Sequence, residues 1–252
     1  MKKAFLAGAG IAATLLGAPA FAATGYVDVS YTGADVGTGS GSDVSGWGVN
    51  GAAAFDLGGN GLQIDAGATN YDPDAGGSYT AEYAAGHLFH RFDNKTLGVV
   101  AGVANLDTSP SATPWDVGLE FQARTENTTF NGSVTYFDPD LGDSNGVAIQ
   151  GSLKAFVGDN WSLGGHAGWV NLNSSGGDTD GYLLGLNTEL QIGSSPISVF
   201  AAYNEFHAND VPVESQAASI GVRFNFGVPS IKAREASGPS LDSQGALLGL
   251  TF

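Results

Sequence analysis

The sequence has 252 residues and a formal net charge of −16, because 25 acidic side chains face only 9 lysines and arginines. So acidic a chain lacks the basic face that nucleic acids and anionic surfaces require, and we expect no nucleic acid among its partners. It contains no cysteine, so no disulfide can stabilise it. Its length suits one domain better than two, and its 39 glycines follow no triplet repeat, which excludes a collagen.

The first 22 residues have the composition and order of a secretory signal peptide. Lys2 and Lys3 precede an apolar stretch from Ala4 to Leu16, and Ala20-Phe21-Ala22 places small residues at the two positions that a signal peptidase reads. A membrane anchor would need about 20 apolar residues, and the glycines and Pro19 dilute this stretch too much. We therefore predict a signal peptide over residues 1–22, with cleavage after Ala22.

The chain after the signal alternates between apolar and polar residues in segments of about ten, which is typical of transmembrane β-strands. In the clearest segment one face carries Trp115, Val117, Leu119, Phe121 and Ala123, and the other carries Asp116, Gly118, Glu120, Gln122 and Arg124. The pattern recurs over Val147–Val157, Tyr182–Ile192 and Ala218–Phe226. After the signal we find no run that is long and apolar enough for a transmembrane helix.

Extending this pattern along the chain predicts twelve strands. We place them at residues 25–32, 46–56, 61–70, 78–90, 96–106, 115–125, 128–137, 146–157, 161–172, 181–192, 196–206 and 217–227. Long connections are expected at 33–45, 71–77, 107–114, 138–145, 173–180 and 207–216, and short turns between them. Long loops at one rim and short turns at the other are typical of an up-and-down antiparallel transmembrane β-barrel, whereas a soluble sandwich uses Greek-key crossovers.

Aromatic residues gather at both ends of the predicted strands, as they do at the two interfaces of a membrane. Beside the long loops lie Tyr31, Trp47, Tyr71, Tyr79, Trp115, Tyr136, Trp169, Tyr182 and Tyr203, and beside the short turns lie Phe55, Phe89, Phe130, Trp161 and Phe226. A charged side chain facing lipid at mid-strand is costly, and by this pattern only Glu205 falls on the lipid side, near the loop end of its strand. The all-β membrane barrel is therefore favoured over the sandwich.

The chain resembles the small porin-like outer-membrane β-barrels of Gram-negative bacteria. Ser219–Phe226 is similar to the last-strand signal of such proteins, which implies the barrel-assembly machinery and outer-membrane lipid as partners and the cell outer membrane as location. In that family this strand normally ends the chain, but here more residues follow. Either a twelve-stranded barrel over residues 23–227 precedes a periplasmic tail, 228–252, or Ser230–Ala236 and Gly245–Phe252 add two strands to make fourteen. Because Ser230–Ala236 is short and charged for a strand, we favour twelve and expect the tail to be dispensable.

A lumen of twelve strands is wider than that of eight, which side chains just fill, so a narrow polar pore is expected. The charged residues predicted to line it are Asp65, Glu82, Asp116, Glu120, Arg124, Lys154, Glu189 and Arg223. Other inward positions are predicted to be small: Gly48, Ala52, Gly67, Ala84, Gly86, Gly118, Gly164, Gly168, Gly185 and Gly221. Small inward residues leave room for water or allow a close backbone approach. The excess of acids predicts a preference for cations, unless acids and bases pair along the wall.

We therefore predict a porin-like channel for passive diffusion of small hydrophilic solutes or ions, monomeric and without catalytic residues, metal or cofactor. A non-conducting structural or surface-binding barrel is the main alternative, and an outer-membrane hydrolase a remote one. A hydrolase needs a histidine within reach of a serine or an acid, and His207 with Asp210 is the candidate pair. Asp138–Gly146 is dense in oxygen ligands for calcium, but turn chemistry explains it as well.

Overall fold

The computed structural model describes residues 23–37, 42–74, 76–108, 111–140, 142–209 and 213–241, which form twelve strands and one short helix. The strands are β1 (Thr24–Gly37), β2 (Ser42–Asp56), β3 (Asn60–Pro73), β4 (Tyr79–Phe92), β5 (Lys95–Leu106), β6 (Trp115–Arg124), β7 (Thr128–Asp138), β8 (Asn145–Phe156), β9 (Trp161–Ser174), β10 (Gly177–Gln191), β11 (Ile197–Ala208) and β12 (Glu214–Phe226). Within these ranges no helix is long and apolar enough to cross a membrane.

The twelve strands form one closed antiparallel barrel, as predicted. Each strand pairs with its neighbours in sequence, and β12 closes on β1 with Asp28 opposite Arg223. Closure leaves no unpaired sheet edge, which a barrel in lipid requires. We call the rim with both barrel termini the turn end; it carries the connections 57–59, 93–94, 125–127, 157–160 and 192–196. The opposite rim is the loop end, with connections 38–41, 74–78, 107–114, 139–144, 175–176 and 209–213.

Five of the six connections at the loop end are shorter than predicted because the strands continue into them, whereas 107–114 has its predicted length. Strand lengths range from 10 residues in β6 to 15 in β2 and β10. For example, β9 and β10 stay paired as far as Ser174 and Gly177, so that little of the predicted loop 173–180 remains. Continued pairing satisfies backbone donors and acceptors within the hairpin. The contrast in length between the two rims is therefore smaller than the sequence indicates.

The outer surface of the barrel is an apolar belt. Outward side chains such as Leu119 and Leu186 are 67% and 66% exposed, and so large an exposed apolar area suits hydrocarbon rather than water. Aromatic rings face outward near both rims, as predicted, at Tyr31, Trp47, Trp115, Tyr136, Trp169, Tyr182 and Tyr203 near the loop end and at Phe130 and Trp161 near the turn end.

Three aromatic residues that we assigned to these girdles point inward instead. Tyr71 and Tyr79 stack with ring centroids 5.2 Å apart and pack in a buried cluster with Ala34 and Val44. Phe89 is 5% exposed and shares the inward phase of β4. The assignment failed because nearness to a rim does not fix which face of a strand a residue occupies; the alternation of the strand does.

After β12 the chain forms a short helix, α1 (Ile231–Ser237), at the turn end. The Ser230 hydroxyl caps this helix by accepting a hydrogen bond from the Ala233 amide at 3.1 Å. Lysine, alanine, arginine and glutamate are good helix formers, so Ser230–Ala236 is not the thirteenth strand of the fourteen-stranded alternative. The other strand of that alternative, Gly245–Phe252, lies outside the described residues.

Candidate functional site

The lumen brings together seven of the eight charged residues predicted to line it. Inward and outward side chains alternate along each strand, and the register places Asp65, Asp116, Glu120, Arg124, Lys154, Glu189 and Arg223 on the inner face. The four acids in this set are each less than a tenth exposed. Most of the seven pair with one another, with His87 or with the segment that follows β12.

Glu82 lies on the outer face, so its assignment to the lumen was wrong. The pairing of β4 with β3 and β5 is continuous, without a bulge. His87 contacts inward residues, so Ala85 and Tyr83, two and four residues before it, face inward too. Glu82, Ala84 and Gly86 lie between these positions and therefore face outward. The same phase turns Arg91 inward at the turn end. The sequence of β4 has no clean alternation, and its inward polar residue is His87 rather than Glu82.

A charged cluster on the wall formed by β1 and β10–β12 is centred on Arg223. Its Nη2 donates to Asp28 at 2.7 Å and its Nη1 to Glu189 at 2.8 Å. The guanidinium carbon lies 3.9 Å from the ring centroid of Tyr26 and 4.7 Å from that of Phe200. These charge-assisted bonds and cation–π contacts fix the side chain along the wall.

A second cluster joins β3, β4 and β6 through His87, which is fully buried. Its Nε2 lies 3.0 Å from Asp65 Oδ2 and its Nδ1 3.0 Å from Glu120 Oε2. Glu120 reaches it over Gly98 of β5, where any Cβ would collide with the carboxylate. Because each ring nitrogen faces a carboxylate, the doubly protonated imidazolium satisfies both acids. The sequence analysis overlooked this cluster; the inward phase of β4 would have revealed it.

The described part of the tail, residues 228–241, fills the turn end of the lumen. Arg234 donates to Glu189 through Nη2 at 2.6 Å and Nη1 at 2.8 Å. Glu235 forms an ion pair of 2.9 Å with Lys154, and Arg124 donates to the Glu235 carbonyl at 3.2 Å. Three of the predicted lumen charges therefore contact the tail.

The tail continues across the lumen beyond α1. The amides of Ser240 and Leu241 donate to Gln63 Oε1 at 3.1 and 3.3 Å, and Gln122 Nε2 donates to the Ser240 carbonyl at 3.1 Å. The side chain of Ile231, at the start of α1, is also buried, with 1% of its surface exposed. The sequence analysis anticipated none of these contacts; the dispensability of the tail for assembly stays a prediction.

A cavity of about 410 Å³ lies inside the barrel, where the tail residues Arg234, Pro239 and Leu241 form part of its lining. The polar residues that line it on β7–β11 include Asn131, Gln150, His166, Asn187 and Asn204, and its charged lining includes Glu120, Glu189, Arg223 and Arg234. The Gln150 Nε2 atom is buried and has no hydrogen-bond partner among the described residues. A second cavity, of about 260 Å³, borders Tyr26 and Arg223 on the side of β1–β5.

Inward glycines give the polar side chains of this cavity a place to lie flat. A Cβ at Gly185 would collide with both His166 and Asn204, and a Cβ at Gly164 would collide with Asn187. Each long polar side chain therefore leans sideways over the glycine of a neighbouring strand instead of pointing to the barrel axis. The sequence suggests two reasons for small inward residues, close approach to the backbone and room for water. Here the close approach of side chains to these glycines leaves space in the middle of the lumen.

The inner wall near the loop end is apolar. Three buried clusters lie there: Ala34, Val44, Tyr71, Ala81 and Ala217; Phe137, Ala148 and Val170; and Leu183, Phe206 and Ala208. The described lumen therefore changes from apolar at the loop end to polar and charged at mid-height, and the tail closes the turn end.

The candidate hydrolase pair is not formed by the described residues. His207 lies on the outer face, with its Nδ1 2.8 Å from Glu214 Oε1, and Asp210 lies outside the described residues. In the candidate calcium loop, the Asp138 carboxylate accepts a hydrogen bond from the Asp140 amide at 2.8 Å, which is turn chemistry.

Comparison with solved structures identifies the fold. An outer-membrane channel from Pseudomonas putida F1 has a TM-score of 0.59 at 11% identity, covering 83% of this chain and 97% of that chain. The translocator domain of the autotransporter NalP from Neisseria meningitidis has a TM-score of 0.55 at 12% identity, covering 88% and 95%. KdgM porin also has a TM-score of 0.55, at 8% identity, covering 79% and 99%. No protein-family model matches the sequence, and no curated protein does.

These three structures share an architecture and differ in role, since they are a channel, a porin and a translocator domain. At such low identity the likeness is one of fold. The closed twelve-stranded barrel and the apolar belt around it agree with that fold. The chain is an outer-membrane β-barrel protein.

Proposed function

We propose that this protein is a narrow outer-membrane channel for small hydrophilic solutes or ions. The observation that carries the proposal is the cavity of about 410 Å³ inside the closed barrel, with polar side chains along its wall. Protein interiors are close-packed and leave few spaces larger than a water molecule. A space of this size with hydrogen-bonding walls is suited to hold water and polar solutes.

We infer a modest preference for cations. The inward acids Asp28, Asp56, Asp65, Asp116, Glu120 and Glu189 face the inward bases Arg91, Arg124, Lys154 and Arg223 together with His87. The excess of acids is small, because Glu82 is outside and Arg91 is inside. Asp56 and Glu189 lie near the turn end with Arg91, Arg124 and Lys154, while Asp28, Asp65, Asp116 and Glu120 lie nearer mid-height, so the negative field is strongest at mid-lumen.

In this proposal the tail closes the channel from the periplasmic side. The tail lies at the end that carries the short turns and both barrel termini, which is the periplasmic end in the topology inferred from the sequence. Its contacts with the wall are mostly hydrogen bonds and ion pairs. Water can replace contacts of this kind, so a polar plug of this type is suited to leave and return.

Conductance in planar bilayers tests the proposal. A chain that ends after Gly227 should conduct steadily, while the full chain should be closed most of the time. A chain that ends after Leu241 is the matched control, because it keeps every described tail contact and should behave as the full chain does. Each protein must first show a heat-modifiable band on cold gel electrophoresis, which reports a folded barrel.

A full-length variant guards against failed assembly of the shortened chain. Arg234→Glu places a negative charge beside Glu189 and should expel the tail, so it should conduct as well. If both variants fold and neither conducts, the channel is refuted. The protein would then be a non-conducting barrel. The filled turn end and the apolar loop end of the lumen are the observations that favour this alternative.

A further inference from the structure

The pocket that receives Arg234 is built from buried side chains. Glu189 and Asn225 are 6% and 2% exposed, and Ser198 is fully buried. The Glu189 carboxylate accepts both terminal nitrogens of Arg234, and Asn225 Oδ1 accepts a further bond from Nη1. The Ser198 hydroxyl donates to Glu189 at 2.5 Å and so fixes the carboxylate. Two parallel bonds to one carboxylate match the planar fork of a guanidinium group.

The charges of this pocket balance only while Arg234 is in place. Asp28 and Glu189 supply two negative charges, and Arg223 and Arg234 supply two positive ones. Without Arg234 the group carries one excess negative charge, because Asp28 and Glu189 then share Arg223 alone. A buried and unpaired charge is unfavourable, so an empty pocket attracts a cation.

The pocket also faces the main cavity of the lumen. Glu189, Arg223 and Arg234 all border that cavity, as do Asn187 and Ser162 on the neighbouring strands. A solute in the lumen therefore reaches Glu189 once the tail has left. The ring of Tyr26, whose centroid is 5.1 Å from the guanidinium carbon of Arg234, provides a face for cation–π contact.

We propose that the pocket of Glu189, Asn225 and Ser198 is a binding site for guanidinium groups, which Arg234 occupies while the tail is bound and which arginine-like solutes occupy when it withdraws. The proposal rests on the channel function for the entry of solute. It names arginine and other small guanidinium compounds as the class that the channel retains in its lumen. Arg234 then acts as a tethered stand-in for the solute.

Tethering determines how such solutes compete. A group on a short flexible linker has an effective concentration on the order of millimolar. Free arginine must therefore reach similar concentrations to displace Arg234 from the full chain, while a chain without Arg234 should bind it at lower concentrations.

Equilibrium binding of L-arginine to the detergent-solubilised, folded protein tests the site. The full chain with Arg234→Ala should bind L-arginine saturably and at least tenfold more tightly than the unchanged chain. L-citrulline, which has the same shape without the charge, should not bind. The chain that ends after Gly227 vacates the same pocket in a second way and should also bind L-arginine. Adding Glu189→Gln to either form should abolish binding.

The outcomes separate this inference from the channel function. The guanidinium site is overturned if neither vacated form binds L-arginine, if citrulline binds as well, or if binding survives Glu189→Gln. Equal binding of L-lysine would show that the pocket recognises charge alone, and would overturn the guanidinium class. If L-arginine binds but the folded shortened chain does not conduct, the site stands and the channel fails.

Discussion

His87 links three strands through one buried side chain. It is fully buried, and it places a positive charge between Asp65 of β3 and Glu120 of β6. Gln63 adds two hydrogen bonds to Asp65, of 3.0 and 2.9 Å, and also contacts the tail. The same side chains therefore stabilise the wall and hold the tail against it.

Replacement of His87 by glutamine should destabilise the barrel by roughly 3–5 kcal/mol, because two buried carboxylates lose their shared counter-ion. The measurement is the temperature at which the heat-modifiable band disappears from cold gels, compared with the unchanged protein. His90→Gln is the matched control, since His90 is exposed and bonds only to Asn60, at 2.9 Å. Equal stability of the two variants would show that His87 is not an essential counter-ion.

Gly185 keeps the middle of the lumen open by letting His166 and Asn204 lie flat. In the chain that ends after Gly227, Gly185→Val should push both side chains toward the axis and lower the conductance by a factor of two or more, on the order of what narrowing a pore of this size produces. Gly151→Val is the control, because Gly151 faces outward and has no atom closer than 3.7 Å to its added Cβ. Unchanged conductance in Gly185→Val would place the constriction elsewhere.

At the scale of elements, the sequence predicts strands well where one face is uniformly apolar. β6 and β10 alternate cleanly because one face meets lipid and the other meets polar groups. The phase of both is confirmed, and so are the bounds of β6 to within one residue, whereas β10 begins four residues earlier than predicted. In β4 both faces are mixed, since Tyr83 and His87 point inward while Glu82 points outward. Its phase is set by pairing with β3 and β5, which a pattern within one strand does not contain.

The tail was harder to predict for a related reason. Its helical propensity and the Ser230 cap depend on neighbouring residues and can be predicted from the local sequence. Its placement depends on Glu189, Gln63 and other wall residues that are far away in sequence. Shortness and charge content made Ser230–Ala236 a poor strand and so supported twelve strands. It did not indicate that Arg234 and Glu235 have partners inside the barrel.

The phase of β4 can be measured directly, because the chain has no cysteine and single cysteines can be spin-labelled. Labels at Glu82 and Ala84 should be accessible to oxygen, which dissolves in lipid, and a label at Ala85 should be accessible to a water-soluble nickel complex from the lumen. The alternation follows from the continuous register of β4 with both neighbours. The opposite alternation would return Glu82 to the lumen.

At the scale of the whole molecule, the barrel combines a rigid wall with a polar plug. Twelve continuous strand pairs form the wall, while the tail is anchored mainly by ion pairs and hydrogen bonds that involve Glu189, Lys154, Gln63 and Gln122. Local opening favours segments with few apolar contacts. The tail is therefore the part of the described structure most suited to move while the barrel stays intact.

The charge of the open lumen should appear in its ion selectivity. In the chain that ends after Gly227, reversal potentials in a KCl gradient should show a modest preference for potassium, strongest near 0.01 M salt, where the Debye length is about 30 Å. Glu189→Gln should shift the reversal potential toward zero or toward chloride, because it removes one negative charge from the lumen and leaves Arg223 in place. Glu205→Gln changes the net charge equally but lies on the outer face of β11, opposite Gln216 of β12, and should leave the reversal potential unchanged.

An equal shift in both variants would mean that the whole surface charge, rather than the lumen, sets the selectivity. A preference for chloride in the unchanged lumen would show that Arg91, Arg124 and Lys154 at the turn end dominate the field.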